Sequence, residues 1–406
     1  MANLQLKDLS KIYPSGALAL YKVNLQLSDG EFIAVIGGEK SGKSTLLRLI
    51  AGLEEVTEGE IDVGGKNMTE VVSKDRDVAM IFQGSSLYPS LNVFENMAYG
   101  LRMRKVSNTV VERRVKAAAE ILGLGDVLYR KPKMLTAEQK QKAAFGRAIV
   151  REPKLYLLDD PLSGVSPEVR ERLRSVLINL QMRMSGTFLY ATKNVNEALT
   201  MATRLIILRE GFVQQIDTPA NIYDYPANAY AAFTVGSPTV NFINNAVIEG
   251  GEGEYFAVSG GVRLPIPQNI VKRFTAIAEY AGTGKKVIVG IRPEDIAAGA
   301  DGELEAKAET VEEICGVTYA ECAVDKLSFV AVAEDGVKKE DAVRLKFDLS
   351  HMFIFDADTR LTLLERDGGY KVTDYPDADF KPFTFAEEEE LKKKFSLPKK
   401  EQKKKR

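Results

Sequence analysis

The stretch Glu31-Phe-Ile-Ala-Val-Ile-Gly-Gly-Glu-Lys-Ser-Gly-Lys-Ser-Thr-Leu-Leu-Arg-Leu-Ile50 decides the fold. Phe32 to Ile36 is an apolar, β-branched run, the pattern of a buried strand. Gly37 to Thr45 then fits G-x-x-x-x-G-K-[ST], and Ser44 to Ile50 has helical spacing. Strand, glycine-rich turn and helix in that order make an anion cradle. Glycines let backbone N–H groups curl around a phosphate, and the helix N-terminus adds positive potential. Lys43 is placed to reach β- and γ-phosphates, and the Ser44 hydroxyl to help hold Mg²⁺. The predicted phosphate-binding residues are Gly37, Gly38, Glu39, Lys40, Ser41, Gly42, Lys43, Ser44 and Thr45.

A site of this kind needs a second metal anchor at the end of a neighbouring apolar strand. Leu155-Tyr-Leu-Leu-Asp159-Asp160 supplies it, with Asp159 for the metal shell and Asp160 beside it. An apolar run ending in two aspartates is by itself more often a strand leaving the core. Its pairing with the glycine loop points to an ATP or GTP site.

Outward from these two motifs, residues 1–235 alternate between strand and helix. Val78–Phe82, Thr187–Tyr190 and Leu205–Leu208 are further strand-sized apolar runs, and 108–122, 138–150, 167–183 and 194–203 read as helices. Such alternation predicts an α/β fold with a mostly parallel sheet. From Gly236-Ser-Pro238 to about 365 the chain turns to short Val-, Thr- and Gly-rich strands, the signal of a small barrel or OB-like β-domain. From 366 to 406 periodicity is lost and the chain ends in charge blocks, the composition of a solvated tail. A transient basic contact with a membrane surface is the alternative reading of that tail.

Length and composition set the remaining bounds. The 406 residues exceed one comfortable core, and a net charge of −2 argues against nucleic acid as the main partner. Cys315 and Cys322 have neither disulfide-framework count nor zinc spacing and read as reduced structural cysteines. No apolar run approaches the roughly 20 residues of a membrane helix, and the N-terminus lacks a signal-peptide pattern. Any membrane role is expected to pass through a partner. The one histidine, His351, lies far from the N-terminal motifs.

Several segments together resemble the ATPase subunits of carbohydrate importers in the ABC superfamily, of the maltose-importer ATPase type. Val78-Ala-Met-Ile-Phe-Gln83, with Leu87-Tyr-Pro89 and Asn92 to Met97, resembles that family's Q-loop and the start of its helical subdomain. Leu135-Thr136-Ala137-Glu138-Gln139 stands where the family has its signature motif, and Phe145 to Lys154 resembles the stretch joining it to the Walker B strand. Ile291-Arg-Pro-Glu-Asp295 is similar to a hallmark of the regulatory β-domain called TOBE. The resemblance implies a P-loop NTPase ABC domain at 1–235 with a helical subdomain at about 88–152, then an OB-like TOBE domain at 236–365. It implies that Tyr13 stacks on adenine and that Gln83 joins Ser44 and Asp159 around Mg²⁺. It also implies two ATPase chains closing head to tail around two ATP molecules, each signature motif completing the other chain's site. Permease subunits would dock near residues 83–100, at the cytoplasmic face of the membrane.

Five places depart from the family pattern, and all concern the chemistry. Asp160 replaces the glutamate that orients attacking water, Lys193 the switch-loop histidine, Glu138 the second signature glycine, and Ser166 the D-loop aspartate. Glu39 and Lys40 stand where the loop usually has Ser and Gly. A one-methylene shortening misplaces the water by about an ångström, enough for roughly a hundredfold in rate. A carboxylate about 5 Å from the γ-phosphate is repelled by roughly 3 kcal/mol at an effective dielectric of about 20. These departures predict retained binding with weakened hydrolysis, Asp160, Lys193 and Gln83 being the remaining catalytic candidates; ordinary drift with full activity is the rival.

In a head-to-tail pair, Lys40 would approach Glu138 of the partner subunit, and Glu39 would approach Ser166 of the partner subunit. That favours a homodimer, whereas the need for one strong engine favours a heterodimer with a more competent ATPase, and the heterodimer is the expectation adopted. The transported solute is not encoded in a motor subunit of this kind. The resemblance favours sugars or glycerol phosphates, with polyamines and other solutes as rivals.

Overall fold

The computed structural model describes residues 4–84, 87–184, 186–251, 253–364 and 384–396. Two compact units emerge: one from the chain up to Pro219 plus the residues from Leu391 onward, the other from Ala220 to Glu390.

Among the described residues the first unit carries nine strands: β1 (Leu4–Ile12), β2 (Leu18–Leu27), β3 (Phe32–Ile36), β4 (Glu58–Val63), β5 (Val78–Ile81), β6 (Leu155–Asp159), β7 (Thr187–Thr192), β8 (Arg204–Arg209) and β9 (Phe212–Asp217). Six form one sheet in the order β5-β6-β7-β3-β8-β9, parallel except for the antiparallel β9. Every residue of β3, β6 and β7 is buried, as helices on both faces of a parallel sheet require. β1, β2 and β4 make a separate antiparallel sheet, ordered β2-β1-β4. The sequence reading lacks this second sheet. Register shifts along β1 break the two-residue period that would have announced it.

Helices α1 (Lys43–Ala51), α2 (Val93–Met103), α3 (Asn108–Leu122), α4 (Ala137–Ile149), α5 (Pro167–Met184) and α6 (Val195–Met201) fill the intervals. α2, α3 and α4 pack on one another. Gly146 makes the α2–α4 approach possible, since a Cβ there would fall 2.7 Å from Met97 Cε. α2 starts at a capping box, Asn92 accepting from Glu95 N while Glu95 accepts from Asn92 N, at 2.8 and 2.9 Å.

In the second unit β10 (Asn241–Gly251), β11 (Glu254–Ser259), β12 (Val262–Ile266), β13 (Lys286–Ile291) and β19 (Phe353–Asp356) form a sheet ordered β12-β11-β10-β13-β19. β14 (Ile296–Gly299), β15 (Leu304–Ile314), β16 (Val317–Val324), β17 (Leu327–Ala333) and β18 (Ala342–Phe347) close a barrel. The hallmark arginine acts as a clamp inside this unit. Arg292 is buried, donates to Val235 O at 2.8 Å and Tyr223 O at 2.5 Å, and lies 3.4 Å over the Tyr223 ring. Desolvation pulls its guanidinium down to about 10. Cys322 is buried and Cys315 exposed, both free thiols.

The charged tail departs from the expected loss of structure: Phe385–Ser396 is a helix. Its Lys392 pairs with Glu210, in the turn between β8 and β9. The rest of the tail, 366–383 and 397–406, lies outside the described residues.

Candidate functional site

β3 delivers the chain into the glycine loop, and α1 begins at Lys43 directly after it. Two glycines are needed for conformation and space. Gly42 has φ 106°, and a Cβ there would sit 2.6 Å from Ala19 O; Gly37 has φ 154°, and a Cβ there would meet Leu208 O at 2.1 Å. Lys40 adopts φ 58° without being glycine, so the loop keeps its left-handed turn at that position and accepts some strain. A backbone bond from Gly211 N to Ser41 O, 2.9 Å, ties the loop to the β8–β9 turn.

Lys43 is only 8% exposed, and its ammonium donates to Gly37 O and Gly38 O at 2.7 Å each and to Ser41 Oγ at 3.0 Å. Burial first, and then the neighbouring Lys193 charge, lower its pKa, while Asp160, Asp159 and Glu39 oppose the shift. Beside it the Ser44 hydroxyl donates to Asp159 Oδ1 at 2.7 Å, joining α1 to the end of β6. Asp160 follows in a left-handed conformation, φ 48°, and its N–H is held by Ala191 O of β7 at 2.8 Å. Its carboxyl is pushed up, first by burial and then by the Glu197 charge.

A cleft of about 510 Å³ gathers these groups. Tyr13, Glu39, Lys40, Ser41, Gly42, Lys43, Ser44, Thr45, Gln83, Asp159, Asp160 and Lys193 all line it. Tyr13 OH lies 3.4 Å from Thr45 Oγ1, which sets the ring at one end of the glycine loop. Lys193 donates to Glu39 Oε1 at 2.7 Å, so the two departures from the family pattern face each other across the loop.

The signature stretch does not line this cleft. Thr136 caps α4, accepting from Gln139 N at 3.2 Å, while Gln139 Oε1 accepts from Thr136 N at 3.0 Å. Leu135 is buried just before the cap, Ala137 is the first helical residue, and Glu138 follows in the first turn, where the helix dipole favours a carboxylate. Glu138 pairs with Lys142 and Arg172, at 2.9 Å each, and Lys142 is the leading cause of its lowered pKa. The carboxylate expected to meet a cation only in a second chain is thus already paired inside its own.

Sequence reasoning missed Glu197. It is 3% exposed and accepts from Tyr190 OH at 2.6 Å and Thr192 Oγ1 at 2.8 Å, with Arg170 Nε at 3.5 Å. Its only sequence signal is the Asn194-x-x-Glu197 spacing of a helix cap.

A glycine cradle at a helix N-terminus, a buried lysine within it and a serine–aspartate pair at its floor define a phosphate-loop nucleotide-binding protein. Comparison with known proteins agrees. Residues 20–163 match the family model of the ABC transporter, and residues 236–296 that of the MalK OB fold domain. The oligosaccharides import ATP-binding protein MsmX of Bacillus subtilis is 36% identical over 372 residues, 89% of this chain and 100% of that protein. The sn-glycerol-3-phosphate import ATP-binding protein UgpC of Burkholderia thailandensis is 41% identical over 300 residues, 72% of this chain and 80% of that protein. Among solved structures, cbiO1 from Clostridium perfringens, part of the ABC transporter complex cbiONQ, shares the fold, with a TM-score of 0.51 at 23% identity. The alignment covers 55% of this chain and 90% of that one. The chain belongs to the ATP-binding proteins of ABC transporters, in the carbohydrate-importer family.

Proposed function

We propose that this chain is the ATP-binding subunit of an importer for a sugar, oligosaccharide or glycerol phosphate, with a site that binds Mg-ATP firmly and hydrolyses it slowly. The carrying observation is the Ser44–Asp159 contact of 2.7 Å beside the buried Lys43. A hydroxyl, a carboxylate and the nearby Gln83 amide are hard oxygen donors of the kind Mg²⁺ takes. The metal would neutralise phosphate charge there, and the residues fit that duty. Lys43 and the loop amides bind the phosphates, and Tyr13 lies where an aromatic ring meets adenine.

Asp160 is the group left to orient the attacking water, one methylene shorter than glutamate. Two features support slow turnover: that shortening, and the engagement of Lys193 by Glu39. The same ion pair favours a second reading, a nucleotide-gated regulatory subunit that does not turn over. Single-turnover hydrolysis in the reconstituted complex, with the partner ATPase's own phosphate-loop lysine replaced so that only this chain's site can turn over, decides between them. Measurable turnover that Asp160→Asn abolishes supports the first reading; no turnover in either protein supports the second.

The partners follow from the same reading: permease subunits, and a second ATPase chain supplying its signature motif to this cleft. A more competent paralogue is the proposed second chain, because two copies of this site would both be slow. Recovery of a functional importer containing this chain as its sole ATPase would refute that pairing. A second cleft of about 310 Å³, with Phe82, Gly84, Tyr99 and Arg147 among its lining residues, adjoins Gln83 and supports a permease contact. No described helix is long and apolar enough to cross a membrane, which suits attachment at the cytoplasmic face through the permease. Cross-linking from position 99 to an adjacent membrane protein tests this, and its absence in the assembled complex would count against it.

A further inference from the structure

Glu39 and Lys193 lie 154 residues apart in sequence and meet at 2.7 Å. Both line the nucleotide cleft, and their side chains are 79% and 55% exposed. Each is the principal partner of the other: the Lys193 ammonium is the main cause holding the Glu39 carboxyl below its ordinary range, and Glu39 is the main cause raising Lys193. The remaining charges facing the pair are Lys40 and Lys43 on the loop side and Asp160 beside Lys193. On the ATP-site reading, the glycine loop and Lys43 hold the β-phosphate that ATP and ADP share, with Lys43 also reaching the γ-phosphate. Only a triphosphate extends toward the switch loop, and there it meets an ammonium that already has a carboxylate.

We propose that Glu39 is a specificity-determining residue of this site: it competes with the terminal phosphate for Lys193 and so lowers the preference for ATP over ADP. The inference rests on the reading of the cleft as an ATP site. The hydrogen-bonded partner of Glu39 is Lys193, and Lys40 and Lys43 on the loop side weigh less on it, so its effect falls chiefly on the triphosphate. Separating an exposed pair is a modest penalty, and releasing it should change triphosphate affinity by about threefold.

The test displaces fluorescent mant-ADP from the full-length chain, in Mg²⁺, with the non-hydrolysable triphosphate AMP-PNP and separately with ADP. Glu39→Gln should tighten AMP-PNP about threefold more than it tightens ADP. In a Lys193→Met background the same substitution should lose its effect, because the competition has lost its object. Glu39→Ser gives the same measurement should the glutamine variant fold poorly. Equal changes for both nucleotides, a weaker triphosphate, or an undiminished effect without Lys193 would each overturn the proposal. Lys43→Ala serves as the separate control. Wild-type affinity for both nucleotides in that variant would defeat the ATP-site reading itself, whereas lost binding there with an unchanged Glu39→Gln ratio defeats only the competition.

Discussion

Arg172 on α5 grips Glu138 on α4 through two nitrogens, Nε at 3.0 Å and Nη2 at 2.9 Å. Glu138 stands where the family has its second signature glycine, and an isolated carboxylate there would repel the γ-phosphate in a closed pair. With Arg172 and Lys142 both on it, most of that repulsion is neutralised before any second chain arrives. Glu138→Gly should therefore raise ATP turnover of the assembled importer by less than about tenfold, well under the full repulsion of an unpaired charge. Arg172→Ala combined with Lys142→Met should lower it, because the carboxylate is then unmasked. Steady-state ATPase rates of the reconstituted complex check both, and an increase in the double variant would show that the pairing has no such masking effect.

On the proposed reading, Asp160 and Lys193 limit the rate of this chain's own site. Lengthening Asp160→Glu should speed single-turnover hydrolysis by up to about a hundredfold, the scale associated with an ångström of misplacement. Lys193→His alone should do little, since the water-orienting group is still short. The two together should exceed either one. A null result in the double variant, with ATP still bound, would place the limit in the signature or D-loop contribution instead.

The same aspartate is a stability liability. Its carboxyl is pushed above the ordinary 3.8 by burial first and then by Glu197, with Asp159 adding to the repulsion. A carboxyl raised in the folded state binds its proton more tightly there than in the unfolded chain, so its contribution is present at low pH and lost as pH rises above 3.8. Asp160→Asn removes the charged form and should raise Tm at pH 7, while abolishing hydrolysis, the trade-off expected of a functional-site charge. The Tm difference should shrink steadily as both proteins are melted at lower pH. A constant difference would mean that the charge is not its source.

How much of this was legible in the sequence depends on whether the signal was local. The glycine loop, the Asp159 strand and helix α3 were readable because fixed spacing and buried apolar runs announce them. β1, β2 and β4 were not, because shifts such as that between Leu6 and Leu9 interrupt their alternation. The site followed the same division. Spacing placed Lys43, Ser44 and Asp159 together, but nothing local reveals that Lys193 reaches Glu39 or that Arg172 reaches Glu138. Long side chains choose partners after the fold has formed. The sequence expectation that Glu39 and Glu138 await partners in a second chain was therefore incomplete, because both carboxylates find cations in their own.

Two glycines near the site separate crowding from backbone conformation. Gly42→Ala would add a Cβ 2.6 Å from Ala19 O and 2.8 Å from Leu20 Cδ2 at φ 106°. It should abolish nucleotide binding and destabilise the unit by about 2–3 kcal/mol, combining overpacking with strain. Gly84→Ala, with φ 80° and nothing within 4 Å of its Cβ, should cost about 1 kcal/mol and leave nucleotide binding intact. Thermal melts and nucleotide titrations measure both, and equal losses would show that crowding is not the cause at Gly42.

Glu31 and Arg204 anchor the strands that present the loop. Arg204 is 1% exposed, donates to Glu31 Oε1 at 2.6 Å and Oε2 at 3.0 Å, and reaches Gln26 O at 2.6 Å. Glu31 immediately precedes β3, and Arg204 opens β8, so the pair fixes the entry to the strand that ends at Gly37. Arg204→Met leaves a carboxylate at 8% exposure without its cation, and removing one partner of a buried pair costs about 3–5 kcal/mol. Replacing both, Glu31→Leu with Arg204→Met, should recover much of that loss, since apolar side chains of similar size pack without a stranded charge. Denaturant unfolding of the single and double variants measures the coupling. A double variant as unstable as Arg204→Met would show that the Gln26 carbonyl, left without its donor, accounts for the damage instead.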